Sequence, residues 1–295
     1  MRMIRTAVIG AGRWGGNLIR NVRQSKNLEL AAVCDIDERR LQRITSGERD
    51  TDAAAILGRA DVDAVIITTP PVTHFSLTRA ALCSGKHVLC EKPLAMSVAE
   101  CEELQQASTE GQLCLMVDCT PVYLEEVREA RSRIDWRVVS RIHCVRTSTR
   151  IPNSIAELMW DLMPHDLGVL HYWLGRLPTH WTHHTRDGRQ VVLRSRIEPA
   201  TELELTVGCE PVPRREIWVS REGETEKFLQ LQRQPEPLQT VVAHFAECIR
   251  HGRTPLTGAA GALETARVLG VLALPGTDVR HSHGEQDSTL ALSSR

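Results

Sequence analysis

The chain has 295 residues, enough for two domains at about 100 to 200 residues each. Its 42% hydrophobic and 25% charged residues are those of an ordinary globular protein, and acids and bases are interleaved to a net charge of −1. That balance excludes nucleic acid and an anionic membrane surface as partners suggested by charge, and no run reaches the roughly 18 apolar residues of a membrane span.

The amino-terminal residues enter a strand directly and show no secretory pattern, so a cytoplasmic protein is expected. The apolar run Ile4 to Ile9 stops at Gly10, Gly12 and Gly15, spaced G-x-G-x-x-G, and a helix-compatible segment follows. A turn of this kind is built for a pyrophosphate: the first glycine permits the tight turn, the second lets backbone approach the phosphates, and the third lets helix and strand pack closely. The N–H groups and positive end of the new helix then face the anion. A second run, Leu28 to Cys34, ends at Asp35, where a carboxylate can accept both ribose hydroxyls and repel a 2′-phosphate. This favours NAD; Arg39 and Arg40, being cationic, keep NADP open.

Up to about residue 120 short apolar runs continue to alternate with helical segments, the mark of a parallel sheet with crossover helices. The further runs are Ala64 to Thr68, His87 to Cys90 and Leu113 to Val117, and the helices include His74 to Cys83 and Ser97 to Gln106. Ser97-Val-Ala-Glu100 reads as a capping box. Glu91-Lys92-Pro93 arrives at the carboxyl edge of this sheet, where open α/β sheets bind ligands, so Lys92 is expected beside a nicotinamide.

After Pro121 the rhythm changes to one helix, about Val122 to Arg131, and then strands: Val138 to Thr147, Gln190 to Arg196, Glu202 to Val207, Arg215 to Val219 and Lys227 to Gln232. Strands in succession imply an antiparallel sheet and an α+β second domain. Helical spacing marks Trp160 to Leu174, Leu238 to Ile249 and Gly258 to Leu272. The expected division is 1–120 for the dinucleotide-binding domain, 121–280 for an α+β substrate and oligomerisation domain, and 281–295 for a disordered tail. Nine cysteines without C-x-x-C argue against disulfides or a zinc knuckle, and Cys34, Cys90 and Cys114 read as buried thiols. His180, His183 and His184 read as a half-exposed strand face, and no metal site is expected.

Asp161 and His165 are four residues apart, so within a helix they share a face and the carboxylate can orient the imidazole for proton transfer near neutral pH. The alternative is Asp161 as an N-cap, Pro164 in the first turn and His165 as a core histidine; spacing leaves both open.

These motifs in this order, Gly-Ala-Gly-Arg-Trp-Gly, Thr-Pro-Pro-x-x-His and Gly-Lys-His-Val-Leu-Cys-Glu-Lys-Pro, resemble the glucose-fructose oxidoreductase, inositol dehydrogenase and rhizopine-catabolism (Gfo/Idh/MocA) family. The resemblance is close over about the first 120 residues, and continues through the Asp161 and His165 segment. It implies a Rossmann domain followed by an α+β domain on a largely antiparallel sheet, with Lys92, Asp161 and His165 as catalytic groups. It implies cofactor contacts at Gly10, Gly12, Arg13, Trp14, Gly15, Asp35, Thr69, Pro70, His74, Glu91 and Lys92, and a cis peptide at Lys92-Pro93. Trp160, Asp166 and Tyr123 are expected substrate contacts. The position three residues after the histidine, commonly an acid or amide in the family, is Gly168 here.

The implied activity is NAD(P)-dependent hydride transfer at a secondary alcohol or ketone of a sugar, cyclitol or nucleotide sugar, in a homo-oligomer (dimer or tetramer) formed through the second sheet. The alternatives are a dinucleotide-sensing regulator without turnover and a reductase of an imine or tetrapyrrole-like substrate. Retention of Lys92, Asp161 and His165 together favours the enzyme.

Overall fold

The computed structural model describes residues 2–186, 189–197, 200–221, 223–229, 237–272 and 288–291. The chain divides into two compact units, the first made of residues 1–123 and 233–263, the second of 124–232 and 264–295.

In the first unit the elements follow as β1 (Ile4–Ile9), α1 (Arg13–Gln24), β2 (Leu28–Cys34), α2 (Glu38–Leu41), β3 (Glu48–Asp50), α3 (Ala53–Leu57), β4 (Ala64–Ile67), α4 (His74–Cys83), β5 (His87–Glu91), α5 (Val98–Glu110) and β6 (Leu115–Asp118). The six strands form one sheet, ordered β3-β2-β1-β4-β5-β6, and every adjacent pair is parallel. This is the doubly wound dinucleotide-binding order, in which the chain reverses direction next to β1. Central strands covered on both faces must be apolar throughout, and Ala64, Val65, Ile66 and Ile67 are all fully buried. Val65, Ile66 and Ile67 each contribute about 1.5–3 kcal/mol by leaving water. At the start of α5, Ser97 accepts the Glu100 N–H at 3.2 Å and the Glu100 carboxylate accepts the Met96 N–H at 3.1 Å.

The second unit holds α6 (Glu125–Arg133), β7 (Val139–Ser148), α7 (Ile155–Leu174), β8 (His180–Arg186), β9 (Gln190–Ile197), β10 (Thr201–Cys209), β11 (Arg215–Arg221) and β12 (Glu224–Leu229). The sheet order is β12-β11-β7-β10-β9-β8-β13, antiparallel except for the parallel pair β7 and β10. The edge strand β13 (Ser288–Ala291) lies within the segment expected to be a disordered tail; the remaining tail residues, 281–287 and 292–295, lie outside the described residues. Trp173 stacks on Trp136 at 5.0 Å between centroids, meets Phe228 at 5.4 Å, and donates its indole N–H to the Val127 carbonyl. On β8, His183 and His184 are 9% and 8% exposed, so they face the interior and not a half-exposed surface.

The helix α8 (Pro237–His251) returns to the first unit, and α9 (Ala259–Leu272) follows. Arg250 on α8 donates to Asn27 ahead of β2 at 2.5 Å. Thr257 accepts the Val117 N–H on its carbonyl and donates its hydroxyl to the Val117 carbonyl, both at 2.7 Å, and Gly258 bridges antiparallel to Met116. The outer edge of β6 is thereby capped by a segment 140 residues further along the chain. Among the described residues no helix is long and apolar enough to cross a membrane, and no group of three or more His, Cys, Asp or Glu could hold a metal ion.

Candidate active site

The glycine loop lies between β1 and α1, and the three glycines have different reasons to lack a side chain. Gly10 has φ +102°, and a Cβ there would lie 2.7 Å from the Thr68 hydroxyl; on Gly15 a Cβ would lie 2.0 Å from the Gly10 carbonyl oxygen. Packing within the protein demands both. On Gly12 the nearest atom to such a Cβ is Arg40 Nη1 at 3.8 Å, so its bareness leaves open space at the first turn of α1. That space, at a helix N-terminus with no side-chain cap, fits a dinucleotide pyrophosphate. Asp35 is 5% exposed at the end of β2; one carboxylate oxygen accepts the Ala11 N–H at 2.7 Å and the other the Asp37 N–H at 2.9 Å. Arg40 lies 3.3 Å from Asp35, which holds the guanidinium next to the glycine loop. Ile36, 92% exposed directly after Asp35, offers an apolar surface to an adenine ring. Arg13 is exposed, and Trp14 is half-buried with its indole nitrogen closed off from solvent.

At the carboxyl end of β4, Thr69 is half-buried and Pro70 exposed. His74, an expected cofactor contact, is 1% exposed, with Nδ1 2.7 Å from the Pro93 carbonyl oxygen and Nε2 2.7 Å from the Thr69 carbonyl oxygen. It pins the loop after β4 to the turn after β5, and burial lowers its pKa. That turn contains a cis Lys92-Pro93 peptide bond. Glu91, the last residue of β5, sits opposite Asp118, the last residue of β6. Burial raises both carboxyl groups above the usual range, and Glu91 is raised further by the neighbouring Asp118 charge. Asp118 carries no sequence motif, and only the register of β5 and β6 brings it to Glu91.

In the second unit, α7 begins at Ile155, five residues before the expected start. Ser154 caps it, accepting the Glu157 N–H at 3.0 Å, and the Glu157 carboxylate accepts the Asn153 N–H at 2.7 Å. Asp161 is therefore not an N-cap but lies in the second turn, and Pro164 is internal. Proline has no N–H for the Trp160 carbonyl, which interrupts the helical ladder one turn before His165. Asp161 and His165 share a helix face, both half-buried; the Asp161 side chain is 44% exposed, 4.0 Å from Arg150. The three expected substrate contacts are all buried. Asp166 is 1% exposed and accepts two hydrogen bonds from Arg146 of β7, both at 2.9 Å. Trp160 is 9% exposed. Tyr123 is 4% exposed and falls in the first unit, its hydroxyl 2.9 Å from that of Thr257; burial pushes the phenol up.

Residues 4–119 match an oxidoreductase family described by its NAD-binding Rossmann fold. Inositol 2-dehydrogenase 3 of Saccharopolyspora erythraea is 32% identical over 181 residues, 58% of this chain and 54% of that protein, so the chain spans about half the length of the curated relatives it matches. Among solved structures, the scyllo-inositol dehydrogenase of Lactobacillus casei with bound NAD(H) and scyllo-inositol superposes with a TM-score of 0.79 at 17% identity, covering 91% of this chain and 95% of that one. The UDP-N-acetylglucosamine 3-dehydrogenase of Acidithiobacillus ferrooxidans superposes at 0.78 and 19% identity, covering 91% and 96%. At those identities the likeness is one of fold. The glycine loop, the strand order and the Glu-Lys-Pro turn agree with that match: over residues 4–119 this chain is similar to the Gfo/Idh/MocA oxidoreductase family, described by its NAD-binding Rossmann fold.

Proposed function

We propose that the protein is an NAD-dependent oxidoreductase that moves hydride between the nicotinamide and a secondary alcohol or ketone of a sugar, cyclitol or nucleotide sugar. The observation that carries the reading is Lys92 at the carboxyl end of β5 in an NAD-binding fold, with its turn tied by His74 to the loop after β4. The activities named for the relatives, on inositols and on a nucleotide sugar, support the substrate class. NAD is favoured over NADP because the buried Asp35 carboxylate opposes a 2′-phosphate, while Arg40 is held by that same carboxylate.

The bound nicotinamide supplies the hydride acceptor or donor. In oxidation His165 takes the hydroxyl proton, with Asp161 supporting the imidazolium that forms, and the Lys92 ammonium stabilises the developing alkoxide. In reduction His165 returns the proton. Homo-oligomerisation through the second sheet belongs to the same proposal.

The test is turnover across a panel of sugars, cyclitols and nucleotide sugars with NAD or NADP, and of the corresponding ketones with the reduced cofactors, followed by nicotinamide absorbance. Lys92→Ala is expected to lower kcat by at least about 100-fold, as loss of an electrostatic stabiliser does, with dinucleotide binding retained. Normal turnover in that variant would refute the role of Lys92, and tight NAD binding with no turnover across the panel would favour a dinucleotide-sensing protein.

A further inference from the structure

The paired ends of β5 and β6 hold more carboxylate than their surroundings can solvate. Glu91 and Asp118 are register partners, and their carboxyl groups lie within hydrogen-bonding reach of one another. One oxygen of each is accounted for: Glu91 Oε2 accepts the Lys92 N–H at 3.2 Å and Asp118 Oδ1 accepts the Thr120 hydroxyl at 2.8 Å. The other two, Glu91 Oε1 and Asp118 Oδ2, are closed off from solvent and have no donor among the described residues. Buried polar atoms are nearly always hydrogen-bonded, and a shared proton is what satisfies two buried carboxyl groups within reach of each other.

We propose that Glu91 and Asp118 share one proton and act as a single monoanion beside Lys92, with Asp118 a positioning residue for that lysine. Two carboxylates at this separation do not both ionise in a buried site, so their protons come off in two steps belonging to the pair. The titratable neighbours are Lys92, Cys90, Cys119 and Tyr123. Burial pushes the Cys90 thiol and the Tyr123 phenol up, so neither adds negative charge near neutral pH. Lys92 is the cation among them, and its charge favours the ionised form of both acids. With one proton retained, the charges of Lys92 and the pair cancel. With none, a second buried negative charge would oppose the alkoxide that the lysine stabilises. That consequence rests on the proposed role of Lys92; the shared proton does not.

The test needs no substrate, so its outcome is separate from that of the activity panel. Difference infrared spectra of the purified full-length protein, with 13C-labelled Asp and Glu to identify the band, are expected to show one protonated carboxyl group at pH 7.5. Asp118→Asn and Glu91→Gln should each abolish it, because an amide N–H takes the place of the shared proton. Lys92→Met should move its loss to higher pH, a shift that a merely structural pair would not make. Absence of the band in the wild-type protein, or its survival in both amide variants, overturns the shared proton. An unmoved titration in Lys92→Met overturns the link to the lysine. Carboxyl 13C NMR titration of the wild-type chain gives the same answer without any variant that must fold.

Discussion

Asp166→Asn tests whether the residue after His165 belongs to the substrate site or to the scaffold. In the structure it is a scaffold residue: the Asp166 and Arg146 side chains are 2% and 5% exposed and meet through two parallel N–H to oxygen bonds of 2.9 Å. At an effective dielectric of about 20, charges about 4 Å apart attract by roughly 4 kcal/mol. Removing one partner also leaves the other guanidinium buried without its counter-charge, and such losses run to about 3–5 kcal/mol. With a urea slope of about 2 kcal/mol per molar, the unfolding midpoint of Asp166→Asn should fall by about 2 M. The double variant Arg146→Met with Asp166→Leu removes both charges and should recover most of that loss. Arg150→Ala, which breaks a pair whose arginine is 63% exposed, should cost at most about 1 kcal/mol. An Asp166→Asn protein with wild-type unfolding and a selectively raised KM would refute the scaffold assignment and return Asp166 to the substrate.

Two further predictions bear on the first unit and on pH. Gly15→Ala places a methyl group 2.0 Å from a backbone oxygen and should cost about 1–3 kcal/mol while weakening NAD binding, whereas Gly16→Ala, with nothing within 4 Å, should be neutral or stabilising; calorimetric titration and melting of both variants would decide, and equal behaviour would refute the packing argument. Burial lowers the pKa of His74, His87, His143, His171 and His183 in the folded chain. The unfolded chain therefore binds more protons just below pH 6.5, and stability present above that pH is lost as pH falls through it. The Glu91 and Asp118 pair acts in the opposite sense, retaining its proton in the fold, but with one proton against five histidines. The melting temperature should fall by several degrees, roughly, between pH 7.5 and pH 5.5, and a rise over that interval would refute the balance.

The parallel sheet was legible because strands buried on both faces are continuous apolar runs, and the glycine loop because its backbone geometry restricts residue type. The strand β3 was not, since Glu48-Arg49-Asp50 is a three-residue edge strand without an apolar side chain. The start of α7 carries a readable signal: Ser154-Ile-Ala-Glu157 is the same capping pattern as Ser97-Val-Ala-Glu100. Asp161 lies inside that helix, so it is not the N-cap. Burial of Asp166 and Tyr123 could not be read locally, because their partners Arg146 and Thr257 lie 20 and 134 residues away. Asp118 was hidden for the same reason, since strand register and not sequence spacing brings it to Glu91.

The return of residues 233–263 to the first unit means that the NAD-binding half is not a contiguous stretch of the gene. Ending the chain after Tyr123 would remove Thr257 and Gly258 from the edge of β6 and expose paired-strand hydrogen-bonding groups to a second copy. The second unit is discontinuous as well, residues 124–232 and 264–295, so the chain passes between units at 123/124, 232/233 and 263/264. A chimaera that exchanges the second unit for that of a relative must therefore be spliced at all three places, and the dinucleotide-binding half travels with its distant strap or not at all.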